Sequence, residues 1–347
     1  MATLSVPLIQ IYDIMTFTPD DYKYMRRALE LAALGRGHVS PNPMVGAVIV
    51  APDSRIIGEG WHRHYGGPHA EVNAVNSVAD SDRHLLPEST IYVTLEPCSH
   101  YGKTPPCAKL LCDIHIGRVV VAADDPNPRV AGRGISMLRE AGIEVATGLL
   151  AHESCLLNKT FMTAHTLHRP FVTLKWAQSA DGYLDHKRCG GESAARFSTP
   201  LSSLTVHSRR AVHDAIAVGA RTFELDSPRL NTRLVAGSSP KRIVFDRSNK
   251  ISDLTCIHIT SDRPLEETLS CLYREDNITS LMVEGGASLL NSFIQAGLWD
   301  EAYIEVAAPL GDKGAVKAPV LQMLPAETYQ IDGNTIYKYT KNHTKFA

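Results

Sequence analysis

Two stretches decide how this chain is read: Pro68–Val75, PHAEVNAV, and Thr94–Cys107, TLEPCSHYGKTPPC. Together they supply one imidazole, His69, and two thiols, Cys98 and Cys107. A neutral imidazole and two thiolates fill three positions of a tetrahedral zinc and leave the fourth for water, and the thiolate charges offset that of the ion. Zinc lowers the pKa of such a water from ~15.7 toward about 7, so hydroxide becomes available at neutral pH. Glu71 is then the proton carrier rather than a ligand, taking the water's proton and passing it to a leaving amine. Residues two apart do not share a face of a regular helix, so His69 and Glu71 must both lie where a helix begins. A lone histidine or scattered cysteine is ordinarily a packing residue. His-x-Glu at a helix start combined with Pro-Cys after a strand is hard to explain as packing.

Outward from this core the chain alternates. Thr18 and Asp21 have capping-box spacing, and Met25, Ala28, Leu29 and Ala32 share a helical face that ends before Gly35. Strand-like runs at Met44–Ala51 and Ile56–His62 are joined by a Pro-Asp-Ser turn. A helix from about Pro68, a strand at Thr90–Leu95, a helix after Pro106, a strand at Arg118–Ala123, a helix through Met137 and a strand at Ile143–Thr147 follow. This order predicts a largely parallel sheet covered on both faces. The polar stretch Leu157–Arg169 reads as a linker, after which a second α/β unit begins. Its strands are expected at Phe171–Ala177, Asp214–Ala220 and Lys241–Asp246, a helix at Leu201–His213, and a strand, Gly turn and helix at Ser280–Ile294.

The 347 residues allow about two domains, and 35 Lys+Arg against 37 Asp+Glu give a net charge of -2. That balance lacks the positive excess on which non-specific nucleic-acid or anionic-membrane binding depends. No run approaches the ~20 apolar residues of a membrane span. Seven scattered cysteines, an odd number, point to a reducing, cytoplasmic setting rather than a disulfide scaffold. Residues 1–18 read as a loosely packed extension without signal-peptide features.

The runs GRGHVSPNPMVGAVIV from Gly35, GEGWHRHYGGPHAEVNA from Gly58, TLEPCSHYGKTPPC from Thr94 and DDPNPRVAGRG from Asp124 resemble the bifunctional RibD family of riboflavin biosynthesis, a pyrimidine deaminase fused to a reductase. The resemblance extends from about Asp20 to about Gly311. It implies a cytidine-deaminase-like three-layer domain at 19–165 and a dihydrofolate-reductase-like α/β domain at 166–347. By the same resemblance His69, Cys98 and Cys107 bind Zn2+, Glu71 shuttles the proton, and Asn42, His62, His100 and Lys103 contact the substrate. The general zinc-deaminase signature has two residues between its cysteines; this chain has the eight of SHYGKTPP, an insertion suited to line a substrate pocket.

Read by itself, the second half offers fewer signals. No G-x-G-x-x-G follows its first strand, but Gly285 and Gly286 stand between a strand and a helix, where backbone N–H groups can hold a phosphate. Lys175 and Glu284 lie in or at the end of apolar strands, and buried charge must be paired or used. A structural ion pair explains them equally well. The resemblance assigns Ala177, Thr222, Asp226, Gly285 and Gly286 to NADPH, and Lys175, Ser193, Arg210, Leu230, Arg233 and Glu284 to the substrate. Arg210 and Arg233 suit a sugar phosphate, because guanidinium forks match phosphate oxygens. Where the family typically has a Trp after Gly-Glu-Ser, this chain reads GGESAARFSTP, with Arg196 nearest that position. The resemblance further implies a phosphorylated pyrimidine as substrate, no nucleic-acid or membrane partner, and a homo-oligomer, dimer or tetramer. Alternatives left open are a deaminase with a non-catalytic second domain, a nucleic-acid base deaminase, and a non-catalytic module with structural zinc.

Overall fold

Thr18 and Asp21 close the expected capping box. The Thr18 hydroxyl oxygen accepts from the Asp21 N–H, and the Asp21 carboxylate accepts from the Thr18 N–H at 2.8 Å. Pro19 at the first helical position adds its preset φ. The computed structural model describes residues 17–101, 105–127, 131–188, 192–247, 249–251, 253, 255–260 and 263–341. The extension expected at 1–18 therefore lies almost wholly outside the described residues, as does Lys103.

Contacts divide the chain into two compact units. One takes the residues up to Leu34, Met44–Arg63 and Gly67–Ser154, and the other takes Gly35–Pro43, His64–Gly66 and the chain from Cys155 onward. In the first, α1 (Pro19–Ala33) is followed by β1 (Gly46–Val50), β2 (Ile56–Trp61), α2 (Ala70–Ser77), β3 (Thr90–Leu95), α3 (Cys107–Asp113), β4 (Arg118–Ala123), α4 (Arg133–Glu140) and β5 (Glu144–Thr147). The sheet order is β2-β1-β3-β4-β5. β3, β4 and β5 are parallel, while β1 runs antiparallel to both of its neighbours, so the expected parallel sheet holds except at one reversed strand. A tight hairpin between β1 and β2 forces that reversal. Alternate side chains go to opposite faces. Val48, Val50, Tyr92 and Val120 pack under α1 with Met25 and Ala28. Ala47, Ile49, Ile91, Val93, Val119 and Val121 pack under α2, α3 and α4 with Ala74, Leu111 and Leu138. Three layers result.

The second unit begins with α5 (Ala151–Leu157), which straddles the division, and α6 (Lys159–Leu167). The expected linker at 157–169 is thus largely helical, with Met162, Thr163 and Ala164 of α6 buried and its other residues half-buried. Then come β6 (Phe171–Ser179), β7 (Tyr183–His186), α7 (Pro200–Arg210), β8 (Ala215–Gly219), α8 (Ala220–Asp226), β9 (Lys241–Phe245), β10 (Ile257–Ile259) and α9 (Leu265–Arg274). The unit ends with β11 (Ser280–Glu284), α10 (Ala287–Gln295), β12 (Glu301–Ala307), β13 (Gly314–Lys317), β14 (Glu327–Ile331) and β15 (Asn334–Thr340). Eight strands form one sheet in the order β10-β9-β8-β11-β6-β12-β15-β14. The first six are parallel, and β15 is antiparallel to β12 and β14. One face carries Val172, Leu174, Trp176, Leu281 and Val283 packed against Leu269, Leu290 and Phe293 of α9 and α10. On the other face Ile216, Val218 and Met282 meet Val206 of α7, but across β6 and β12 it carries Lys175, Glu301, Tyr303 and Glu305. Among the described residues no helix is long and apolar enough to cross a membrane.

Asp21 also ties α1 to the sheet. Its Oδ1 accepts from Arg118 Nη1 at 2.7 Å and from the Tyr92 hydroxyl at 2.8 Å, with the side chain almost wholly buried. Burial alone raises a carboxyl pKa, but Arg118, the Thr18 N–H and Tyr92 outweigh it and bring Asp21 from 3.8 to about 2. A carboxyl lowered in the folded state stabilises while ionised and stops doing so as pH falls through its folded value. Asp21→Asn should cost about 2 kcal/mol at neutral pH, a deficit that shrinks as pH drops from about 4 toward 2. Denaturant unfolding of both proteins across that range tests this, and a pH-independent deficit would refute it.

Candidate functional site

The first centre forms where two elements begin. His69 is the N-cap of α2, with extended backbone, and Glu71 lies in the first helical turn. The helix-start geometry that the His-x-Glu spacing demands is therefore present. Cys98 follows β3, and Cys107 is the first residue of α3. His69 Nδ1 lies 3.6 Å from Cys98 Sγ and 3.3 Å from Cys107 Sγ, and all three ligand atoms fall within 4.8 Å of one another. Tetrahedral zinc, with Zn–S ~2.3 Å and Zn–N ~2.0–2.1 Å, has N···S edges of about 3.5 Å, so these residues fit the ion. Among the described residues no other three potential ligands converge in this way. The set offers three protein ligands, where a structural zinc site takes four.

The two sulfurs titrate as a pair. Cys107 donates to Cys98, which draws the Cys98 thiol down to about 4 and holds the Cys107 proton more tightly. Glu71 is buried, and desolvation first, then the neighbouring Cys98, push its carboxyl up to about 7. A carboxyl in that range exchanges protons readily near neutral pH.

The flanking residues hold the turn in place. His62 is buried, its Nδ1 is 3.0 Å from the Pro68 carbonyl, and its ring meets that of His69 edge-on at 5.5 Å. Asn73 Nδ2 donates to the Trp61 carbonyl at 2.8 Å. His100 is exposed, and its charge is felt by Asp125, a half-buried carboxyl that burial pushes up to about 6. Asn42 lies in the 35–43 segment, which packs with the second unit. Lys103 lies outside the described residues.

Glu96 and Asp125 had no assigned role in the sequence reading. Glu96 is buried, with Oε2 accepting from the Gly132 N–H at 2.9 Å and Oε1 from those of Gly134 at 3.0 Å and Ile135 at 3.3 Å. It thus satisfies the free donors at the start of α4 from the strand end that leads into Cys98. A Cβ at Gly134 would stand 2.0 Å from the Pro97 carbonyl oxygen, so only glycine lets α4 come this close to the Cys98 turn. An acidic residue between an apolar strand and Pro-Cys was the available signal.

The second centre lies at the carboxyl ends of parallel strands, where open α/β sheets place their ligands. Glu284 on β11 and Lys175 on β6 are paired in register. Arg210 of α7 grips Glu284 through two bonds, Nε to Oε1 at 3.0 Å and Nη2 to Oε2 at 2.6 Å, and its Nη1 donates to the Asn231 carbonyl. Two edges of the Arg210 fork are therefore already engaged by protein. Burial pushes the Glu284 carboxyl up, and Arg210, then Lys175, outweigh it and leave the carboxyl below its usual range. The Lys175 ammonium makes no hydrogen bond or ion pair with any described residue. Ala177 stands two positions further along the same face, in register with Glu305.

Leu230 is buried, with φ at +51°, and holds the loop that carries Asn231 and Arg233. Arg233 is exposed, and its Nη1 donates to Asn231 Oδ1 at 3.1 Å. Ser193 and Arg196 are exposed. Gly285 and Gly286 have φ of +78° and +75° and lead into α10, whose start has no side-chain cap. A Cβ on Gly286 would stand 3.1 Å from the Thr222 hydroxyl, so the bare backbone and Thr222 leave a cradle with free N–H donors, which fits a dinucleotide phosphate. One turn along α8, Asp226 pairs with Arg188 at 2.5 Å. None of the six cysteines among the described residues forms a disulfide.

Comparison with known proteins follows this division. Residues 18–123 match the cytidine and deoxycytidylate deaminase zinc-binding region, and residues 170–318 match the RibD C-terminal domain. Riboflavin biosynthesis protein RibD of Bacillus amyloliquefaciens is 41% identical over 332 residues, covering 86% of each chain. That of Escherichia coli (strain K12) is 36% identical over 335 residues, covering 84% of this chain and 88% of its own. Among solved structures, RibD of Acinetobacter baumannii, form 2, superposes with a TM-score of 0.82 at 34% identity, over 92% of this chain and 98% of its own. The diaminohydroxyphosphoribosylaminopyrimidine deaminase/5-amino-6-(5-phosphoribosylamino)uracil reductase of Thermotoga maritima gives 0.79 at 34% identity, with the same coverage.

The role of Glu96 can be checked without any substrate. Glu96→Gln turns an amide N–H₂ toward backbone donors that need an acceptor, and each orphaned group costs about 1–3 kcal/mol. Zinc content after dialysis against a weak chelator should fall relative to the parent. Unchanged retention would show that Glu96 does not support Cys98.

Proposed function

The chain belongs to the RibD family of riboflavin biosynthesis, and from that premise we propose how its own residues divide the two reactions. The protein is a bifunctional enzyme, a zinc-dependent deaminase followed by an NADPH-dependent reductase that acts on a small phosphorylated pyrimidine. We assign the deaminase to residues 19–165 and the reductase to 166–347.

In the first reaction 2,5-diamino-6-ribosylamino-4(3H)-pyrimidinone 5′-phosphate exchanges its 2-amino group for oxygen. Zinc held by His69, Cys98 and Cys107 supplies the Lewis acidity that makes water a competent nucleophile at neutral pH. The Glu71 carboxylate takes a proton from water as oxygen adds to C2, and returns it to the amine, which leaves as ammonia. His62, fixed by the Pro68 carbonyl, packs against His69, and Asn42, His62, His100 and Lys103 are assigned to substrate contact. The observation that carries this reading is the His69, Cys98 and Cys107 triangle with a buried Glu71 beside it.

In the second reaction the ribosyl group of 5-amino-6-(5-phosphoribosylamino)uracil becomes ribityl. Gly285, Gly286 and Thr222 would hold NADPH at its phosphates, with Asp226 and Ala177 as further contacts, and the bound cofactor would supply the hydride. C1′ gains that hydride, the C1′–O4′ bond breaks, and O4′ takes a proton. Lys175 contacts the sugar with an ammonium that no described residue engages. Ser193, Arg210, Leu230, Arg233 and Glu284 complete the binding surface, with the exposed Arg233 facing the phosphate. Near-neutral charge suits this substrate, since one phosphate ester needs only a few local cations. The enzyme acts in the cytoplasm as a homo-oligomer.

Two measurements test the assignment. Glu71→Gln should retain zinc but release no ammonia, and undiminished turnover would remove Glu71 from its role. With the deaminated product supplied, the parent should oxidise NADPH, followed by its near-ultraviolet absorbance. An active deaminase without that oxidation would leave the second domain non-catalytic.

A further inference from the structure

Glu305 lies midway along β12, on the face that also carries Lys175, Ala177 and Tyr303, and is 3% exposed. A carboxylate buried in a sheet is costly unless donors and opposite charge meet it. Here both oxygens are engaged. Oε2 accepts from the Ser198 hydroxyl at 2.6 Å and Oε1 from Asn334 Nδ2 at 2.8 Å. The same Asn334 Nδ2 donates to the Phe197 carbonyl at 2.9 Å. Burial raises the Glu305 carboxyl, while Ser198, Ser202, Asn334 and the charge of Lys175 outweigh it, so the group stays ionised.

The segment held in this way leads from Ser193 into α7. It is also anchored by the Ala195 N–H on Asp185 at 2.8 Å and the Thr199 hydroxyl on Asp332 at 2.9 Å, neither acceptor lying on β6 or β12. Among the described residues from Ser193 to Thr199, the Phe197–Ser198 step is the one fastened to Glu305 and Asn334.

We infer that Glu305 and Asn334 form a clamp that fixes the Phe197–Ser198 step over the reductase face, which makes Glu305 a positioning residue for the substrate-contacting segment that begins at Ser193. The inference rests on the reductase reading of this face. A released segment must be ordered anew at each binding event, so loss of the clamp weakens binding more than it slows the chemistry. In a part that served folding alone, both quantities and the melting temperature would fall together.

The experiment uses the full-length chain, with the deaminase activity of the same molecule as a control for folding. Ser198→Ala and Glu305→Gln should each raise the reductase KM about tenfold, the value of a charge-assisted hydrogen bond, and leave kcat within about threefold. Because the Ser198–Glu305 bond is common to both variants, the effect of the double variant should fall short of the product of the two single effects. Ser198→Ala removes only a hydroxyl and keeps the test alive if Glu305→Gln does not fold. Unchanged KM with an active deaminase, or additive effects in the double variant, would overturn the clamp. Lys175→Ala separates the two layers of the argument. If it preserves NADPH oxidation, the reductase reading of this face fails; if it abolishes oxidation while Ser198→Ala leaves KM unchanged, only the clamp fails.

Discussion

An ionised group taken out of water must find opposite charge or hydrogen-bond donors, and both centres of this enzyme are arranged around that requirement. In the first unit Glu96 is neutralised by the N–H groups opening α4, and Asp21 by Arg118, Tyr92 and the start of α1. In the second, Glu284 is met by Arg210 and Glu305 by Ser198 and Asn334. Lys175 is the group left over, next to two carboxylates whose bonds are already taken. Its charge steadies both carboxylates, yet its ammonium makes no hydrogen bond or ion pair with any described residue.

The same geometric device recurs in both units. A strand ends, the chain turns, and a helix begins with free N–H donors or with a residue still in extended conformation. His69 and Glu71 exploit such a start at α2, Cys107 at α3, and Gly285 and Gly286 at α10. These positions combine a rigid scaffold with local freedom, which is what ligation and phosphate binding need.

Much of the first unit was legible because its strands are short apolar runs, α1 opens with a capping box and α3 follows a proline pair. The exception in topology was β1, whose reversal follows from the short turn to β2. The stretch 157–169 looked like a linker because its lysine, threonines and histidines break the apolar spacing of a helix, although Met162, Thr163 and Ala164 are buried. The C-terminal strands were harder to see. β12 reads EAYIEVA, and the two glutamates interrupt the apolar pattern although both are buried. Burial of those carboxylates depends on Lys159, Ser198 and Asn334, residues 29 to 142 positions away in the chain.

What the sequence determined by itself was chemical identity: the zinc-ligand types and their spacing, the acid two residues beyond His69, the glycine pair before a helix, and the family these runs resemble. Those are local patterns, and local patterns survive in one dimension. The tertiary structure decided which charges are spent on each other and which remain available. Glu96 and Glu305 became supports, Arg210 was drawn onto Glu284, and Lys175 was left unengaged. Pairing of this kind depends on strand register and helix packing that join distant residues, so it emerges only when the chain is folded.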